Sequence, residues 1–400
     1  MTPEINLLLC CSTTKIEPLK AEEVQSLVQQ ELDWPKLIRL ATSHGVKPLL
    51  YQNLSKICPE AVPPAILTQL QKDFRTNALR NLHLTKELLK ILDIFTEHNI
   101  PALCFKGPTL AVSTYGDLSL RQFSDLDILI HERDLVKARD LMLNQGFQMR
   151  FHVIELTEKE EAAFIGSKNI HQFVRECAYE MENKQGNVLL EIHWEVIPKY
   201  FAFPLKPEYL WENSQTVTLL GTNVANLSPE DTLLLLCIHG AKDCWDKLNR
   251  VCDIAELVRT HPQLAWEKVL EQAKRQGSDR VLLHGLLLAH KLLGTSLPKL
   301  VWQKIKRDST IGAIATQAQK WLFCKRQERP NGMQQSLFHL QIQPRWRDKL
   351  WYTFNLSVTP TPSDWALLPH ANLPPVFYYL LRPLRIFRKQ AVYKESPGQT

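Results

Sequence analysis

The chain has 400 residues, a net charge of +6, 44% hydrophobic and 22% charged residues, which fits a water-soluble globular protein of two or three packed units. Its longest apolar runs, such as Leu233 to Ile238 and Val281 to Leu288, fall far short of a membrane span. Leu7 to Cys11 follows acidic Glu4 without a basic lead-in, so it reads as a helix start and not as a signal peptide. Nine cysteines with no C-x-x-C pair fit reduced, mostly buried thiols in a cytoplasmic protein and argue against zinc. Residues 331–400 carry eight Lys/Arg against three acids, so +5 of the +6 lies there. That basicity suits a solvated tail first, and a nucleic-acid or membrane surface second.

In chain order, residues 1–100 read as an N-terminal helical region. From Pro64 no Gly or Pro interrupts the chain until Pro101, and Leu67, Leu70, Phe74, Thr85, Leu89 and Leu92 form a helical stripe. Residues 101–227 change pattern to a mixed α/β core. Ala102 to Phe105 is a short strand, Lys106-Gly107-Pro108 a tight turn, and Thr109 to Tyr115 a helix. Leu126 to Ile130 is a second strand, followed by an amphipathic helix from Arg133 to Asn144 that stops at Gly146. Val174 to Met181 and Val188 to Val196 make a hairpin about residues 183–187, and Thr216 to Leu220 pairs with Val224 to Leu227 in another.

Ser228-Pro229-Glu230-Asp231 then supplies a cap, a first-turn proline and an acid at N3, opening a helical domain over 228–330. Residues 331–400, rich in proline and aromatics, read as an irregular basic C-terminal arm. The fold class expected is therefore α+β, a small mixed sheet flanked by helical regions.

Chemistry concentrates at the second strand. Asp125 and Asp127 flank Leu126, and residues i and i+2 of a strand share a face. A D-x-D arises about once by chance in a chain this long, so its setting carries the weight. Two adjacent carboxylates repel, and a divalent cation with a preference for hard oxygen ligands resolves the conflict. The competing reading is a solvated strand end. In Leu190-Glu191-Ile192-His193-Trp194-Glu195 an acid interrupts an apolar strand, and Glu191 completes a three-carboxylate cluster if the two strands are neighbours. Such a cluster holds ions that clamp an in-line phosphoryl displacement. Lys106-Gly107 adds a point charge and a close backbone approach at a helix N-terminus, both suited to phosphate. No P-loop motif is present.

These residues meet a known family. The chain resembles the uncharacterised bacterial nucleotidyltransferases of the polymerase-β-like superfamily through Lys106-Gly107 to Asp127 and Glu191-Ile192-His193-Trp194. His44-Gly45-Val46, Leu236 to Lys242 and Arg382-Pro383-Leu384-Arg385 extend the resemblance. It implies a mixed sheet binding Mg²⁺ (two ions, with Mn²⁺ as substitute) and an NTP such as ATP. By that resemblance Asp125, Asp127 and Glu191 are the metal-binding catalytic acids. Lys106-Gly107 stands where the superfamily has Gly-Ser, and Asp243 where related sequences often have His.

Arg121 and Ser124, on the loop entering the Asp strand, read as nucleotide contacts, with a loop salt bridge the alternative for Arg121. His193 reads either as an orienter of Asp127 or as a satisfied strand histidine. His239 and Lys242, within one helical turn of each other, are candidates to close the site from the second domain. Asp253 reads as a buried partner to Lys242 or Arg250.

The leading expectation is transfer of NMP from NTP with pyrophosphate release. The acceptor is open among small molecules, peptides, proteins and RNA, with DNA the least suited. A D-x-D glycosyltransferase and a non-catalytic nucleotide-binding scaffold are the alternatives.

Overall fold

The computed structural model describes residues 1–150, 176–183, 186–197, 201, 203, 207–359, 379 and 382. Four helices between Pro3 and Ile57 precede a 34-residue spine helix, Pro64–Glu97, which has proline in its first turn where the missing N–H costs nothing. A seven-stranded mixed sheet follows, from β1 (Ala102–Cys104), β2 (Asp125–Ile130), β3 (Gln148–Arg150), β4 (Glu176–Asn183), β5 (Gly186–His193), β6 (Gln215–Leu219) and β7 (Thr222–Asn226). Its order is β3-β4-β5-β2-β1-β7-β6.

Two hairpins build the sheet's outer parts. β4 and β5 pair antiparallel from Glu176↔His193 to Asn183↔Gly186. β6 and β7 turn at Leu220-Gly221, both with positive φ (48° and 88°), the two-residue geometry that matches strand twist. The parallel pairing of β2 with β5 joins residues distant in sequence, setting Asp125 opposite Leu189, Asp127 opposite Glu191 and Leu129 opposite His193.

Alternation then divides the sheet's faces. Leu126, Ile128, Ile130, Leu190 and Ile192 pack with Leu84, Leu88, Ile91 and Phe95 of the spine helix. Leu103, Phe105 and Leu129 point the other way, into the large core formed by the N-terminal helices and those beyond residue 228. Asp127, Glu191 and His193 share this second face.

Ser228 caps the helix Pro229–Lys242 by accepting from the Asp231 N–H, as its sequence anticipates. Helices continue to Val358. Gly332–Ile342 and Trp346–Val358 occupy the start of the stretch expected to be irregular. Asn331 and Gln334 form a reciprocal capping box there, and the dense prolines begin only at Pro360, so nothing breaks these two helices. The rest of the expected arm apart from Thr359, Tyr379 and Arg382, and so including Pro383-Leu384-Arg385, lies outside the described residues. Among the described residues, no helix is long and apolar enough to cross a membrane.

Candidate active site

Lys106, two residues past the end of β1, is extended and serves as N-cap of the helix Gly107–Tyr115. Gly107 has φ +54°, and a Cβ there would lie 3.1 Å from the Asp125 carbonyl oxygen, so glycine is required on both counts. The turn therefore brings a helix N-terminus and its free N–H groups against the first residue of β2. The approach loop is fixed from behind. Asn81 Nδ2 donates to the carbonyls of Leu118 (2.6 Å) and Arg121 (2.8 Å), and Asn77 Nδ2 to that of Ser119 (2.9 Å).

The parallel register places the acids. Donor atoms of Asp127, Glu191 and His193 all lie within 4.8 Å of one another. His193 Nε2 is 3.2 Å from Asp127 Oδ1 and 3.6 Å from Glu191 Oε2, and its ring meets Phe105 edge-on at 5.0 Å. Lys106 Nζ stands 3.8 Å from Asp127 Oδ1. Asp125, expected as the third member of this group, sits outside it. It pairs with Leu189 two residues up the strand, roughly 6–7 Å along the strand axis from Asp127.

Burial pushes the Asp125 carboxyl above its usual range, Asp127 and Glu191 push it further, and Lys106 and Arg121 oppose them. The neighbouring carboxylates thus add to the cost of charging Asp125, and a hard divalent cation relieves that cost with the oxygen donors present. The residues fit such an ion.

Asp125 and Asp127 open onto a cleft of about 160 Å³. One wall is the sheet side, with Lys106, Gly107, Arg121, Ser124, Asp125 and Asp127; the other is helical, with His239, Gly240, Lys247, Asn249 and Arg250.

A family model described as uncharacterised nucleotidyltransferase matches residues 30–294, which span both walls. The chain belongs to that family. Nucleotidyl transfer, a transferase activity, is thus its general chemistry. This nucleotidyltransferase is also similar to a crystal structure of an antigenic nucleotidyltransferase-like protein from Paracoccidioides brasiliensis. That likeness has 17% identity and a TM-score of 0.31 over 50% of this chain and 91% of that one. A likeness so distant fixes neither the fold nor the site. No curated protein matches the chain.

Several residues of the nucleotidyltransferase lie differently from the sequence expectation. Arg121 lines the cleft but gives Nε and one terminal nitrogen to both oxygens of Asp253, at 2.8 and 2.9 Å. Tyr115 donates to the same carboxylate at 2.7 Å. Asp253 thus hydrogen-bonds Arg121 and Tyr115 and not Lys242 or Arg250, as its helix packs against the Gly107–Tyr115 helix. The remaining terminal nitrogen of Arg121, Nη1, is buried without a hydrogen-bond partner.

His239 lines the cleft with its Nε2–H donating to the Val196 carbonyl at 3.0 Å. Burial pushes its pKa well below the ordinary range, and Lys106, Lys242 and His193 add to this, so it is neutral. Lys242 does not reach this cleft. It lies 3.9 Å from Asp243 and lines a separate hollow with Asp246, Trp321 and Arg329.

Sequence reasoning missed Lys247, Asn249 and Arg250 as cleft residues. Arg250 is held by Asp243 (2.8 Å) and Asp246 (2.7 Å), which gives the aspartate at 243 a physical role. The signal available was modest: two acids and two cations within the eight residues 243–250, around a helix boundary. The buried asparagines Asn77 and Asn81, one turn apart on the spine helix, were the clearer unread sign of an anchored loop.

Proposed function

We propose that this nucleotidyltransferase uses Mg²⁺ or Mn²⁺ to move NMP from an NTP such as ATP to an acceptor hydroxyl, releasing pyrophosphate. The observation that carries this reading is the in-register pair Asp127–Glu191 beside the Lys106-Gly107 turn, with Asp127, Lys106 and Gly107 lining one cleft. Asp127 and Glu191 would hold the cation, with Asp125 as the further carboxylate where two ions bind. A bound cation would neutralise phosphate charge and ease deprotonation of the acceptor hydroxyl.

The chain's own residues do the rest. The N–H groups that open the Gly107 helix, together with Lys106, take phosphate oxygens. Ser124 and the Nη1 of Arg121 lie on the same wall for further contacts, while Lys247 and Arg250 face the departing pyrophosphate from the other side. The His193 ring orients the Asp127 carboxylate through its Nε2–H. The acceptor oxygen bonds to the α-phosphorus as the bond to pyrophosphate breaks, and Glu191 is the carboxylate placed to accept the acceptor's proton. Positioning and charge neutralisation supply most of the rate.

The test uses NTP labelled at the α-phosphate with cell extract fractionated into small-molecule, peptide, protein and RNA acceptors, with and without EDTA. Label should move to one class, with stoichiometric pyrophosphate, and EDTA should abolish it. Transfer that survives EDTA overturns the metal assignment. Binding of NTP without turnover across every fraction overturns the catalytic one, and release of nucleoside diphosphate from nucleotide sugars favours a glycosyltransferase.

A further inference from the structure

The helix Leu248–Thr260 carries Asn249 and Arg250 in its first turn, and its N-cap residue is Lys247. Lys247 makes no side-chain cap, so the helix does not satisfy its own first N–H groups. The partners come from far away in sequence. His44 Nδ1 accepts from the Leu248 N–H at 3.2 Å, across 204 residues. The His44 carbonyl accepts from the Asn249 N–H at 3.1 Å.

Gly45 follows with φ +68°, and a Cβ there would come within 2.8 Å of Asn249 Nδ2. The turn therefore leaves no room for a side chain beside Asn249, whose Oδ1 is buried without a hydrogen-bond partner in the cleft wall. His44 is itself 3% exposed and is held edge-on against Phe323.

We infer that His44 is a positioning residue for the nucleotide cleft: with Gly45 it caps the Leu248 helix from outside and so sets Lys247, Asn249 and Arg250 opposite the acids. This rests on the reading that the cleft binds an NTP. His44 touches no substrate. Its ring Nδ1 and its own carbonyl each accept one backbone N–H and so fix where the helix begins, and one residue of slippage there would swing Arg250 by about 100° around the axis. The acceptor role requires Nδ1 unprotonated, with the ring proton on Nε2.

The test measures Mg-ATP affinity by calorimetry, alongside melting temperature, in the full chain. His44→Leu removes the acceptor; His44→Asn restores an oxygen close to the position of Nδ1. Leu50→Ala, in the buried core of the same N-terminal region, matches the stability loss without touching the cap. His44→Leu should weaken ATP binding about tenfold, the equivalent of 1.4 kcal/mol. His44→Asn should recover most of it, and Leu50→Ala should bind as wild type.

Wild-type affinity in His44→Leu overturns the inference alone, as does an equal loss in Leu50→Ala. A wild-type chain that binds no NTP overturns the nucleotide reading and the inference together. Should His44→Leu fail to fold, Gly45→Ala carries the same test through the Asn249 contact, and unchanged affinity there overturns the inference.

Discussion

The two walls of the cleft are built by opposite means. The sheet wall takes its geometry from backbone pairing: once β2 and β5 lie parallel, Asp127 and Glu191 must stand side by side. The helical wall has no such ladder. Its placement rests on side chains: Asp243 and Asp246, close in sequence, hold Arg250, and His44, 204 residues away, holds the helix start. Asp253 then ties that wall to Arg121 on the approach loop. Register makes one wall precise locally, whereas the other depends on contacts across the chain.

The sharpest way to break this comparison is at the acids. Asp127→Asn keeps shape and removes charge, so transfer should fall by about 10³-fold, while the melting point stays within a few degrees. A labelled-NTP assay and a thermal melt read both, and retained transfer would remove Asp127 from the site.

The tie between the walls comes next. Asp253→Ala strands the buried Arg121 and should cost about 3–5 kcal/mol in urea unfolding, because an uncompensated charge remains. A loss below about 1 kcal/mol would show that the walls stand independently.

Acid should loosen the helical wall selectively. Burial holds His44 down to about 4, helped by Arg329 and opposed by Asp246, and burial holds His284 down to about 3. Each ring is neutral when folded and accepts a hydrogen bond, His284 from Trp245 at 3.2 Å. The unfolded chain binds protons first, so stability falls as pH drops from about 6.5 towards those values. Each histidine should cost about 2 kcal/mol by pH 5. Urea midpoints at pH 7 and pH 5 measure it, and His44→Asn should flatten the slope.

The smallest effects separate the two sets of cations. Lys106→Ala and Lys247→Ala should each weaken Mg-ATP binding by about tenfold, with melting points unchanged. Loss from Lys106→Ala alone would confine phosphate binding to the sheet wall.

Legibility in the sequence follows the same division. The Asp125-Leu126-Asp127 strand, the Glu191 strand, the Gly221 hairpin and the Ser228 cap all depend on neighbours in sequence or on period-two alternation, and they were readable. The parallel pairing of β2 with β5 was only a condition, since nothing local dictates which strands meet. Asp253 was assigned to the wrong partners because its true one, Arg121, is 132 residues away. Lys247, Asn249 and Arg250 gave only a local cluster of charges, since only tertiary docking turns that helix start towards the acids. Lys242 looked suitable by spacing and points into another hollow, because the chain leaves its helix through Cys244 and Trp245 at positive φ (51° and 57°).

The external cap also sets a schedule for synthesis. A ribosome adding about 5–20 residues per second needs about 10–40 s to travel from His44 to Leu248. Glu191 is made before any part of the Leu248 helix exists, so the acids can gather on the nascent sheet while their opposite wall is still unmade. The nascent chain therefore acquires the carboxylates of its sheet wall first and the cations of its helical wall last.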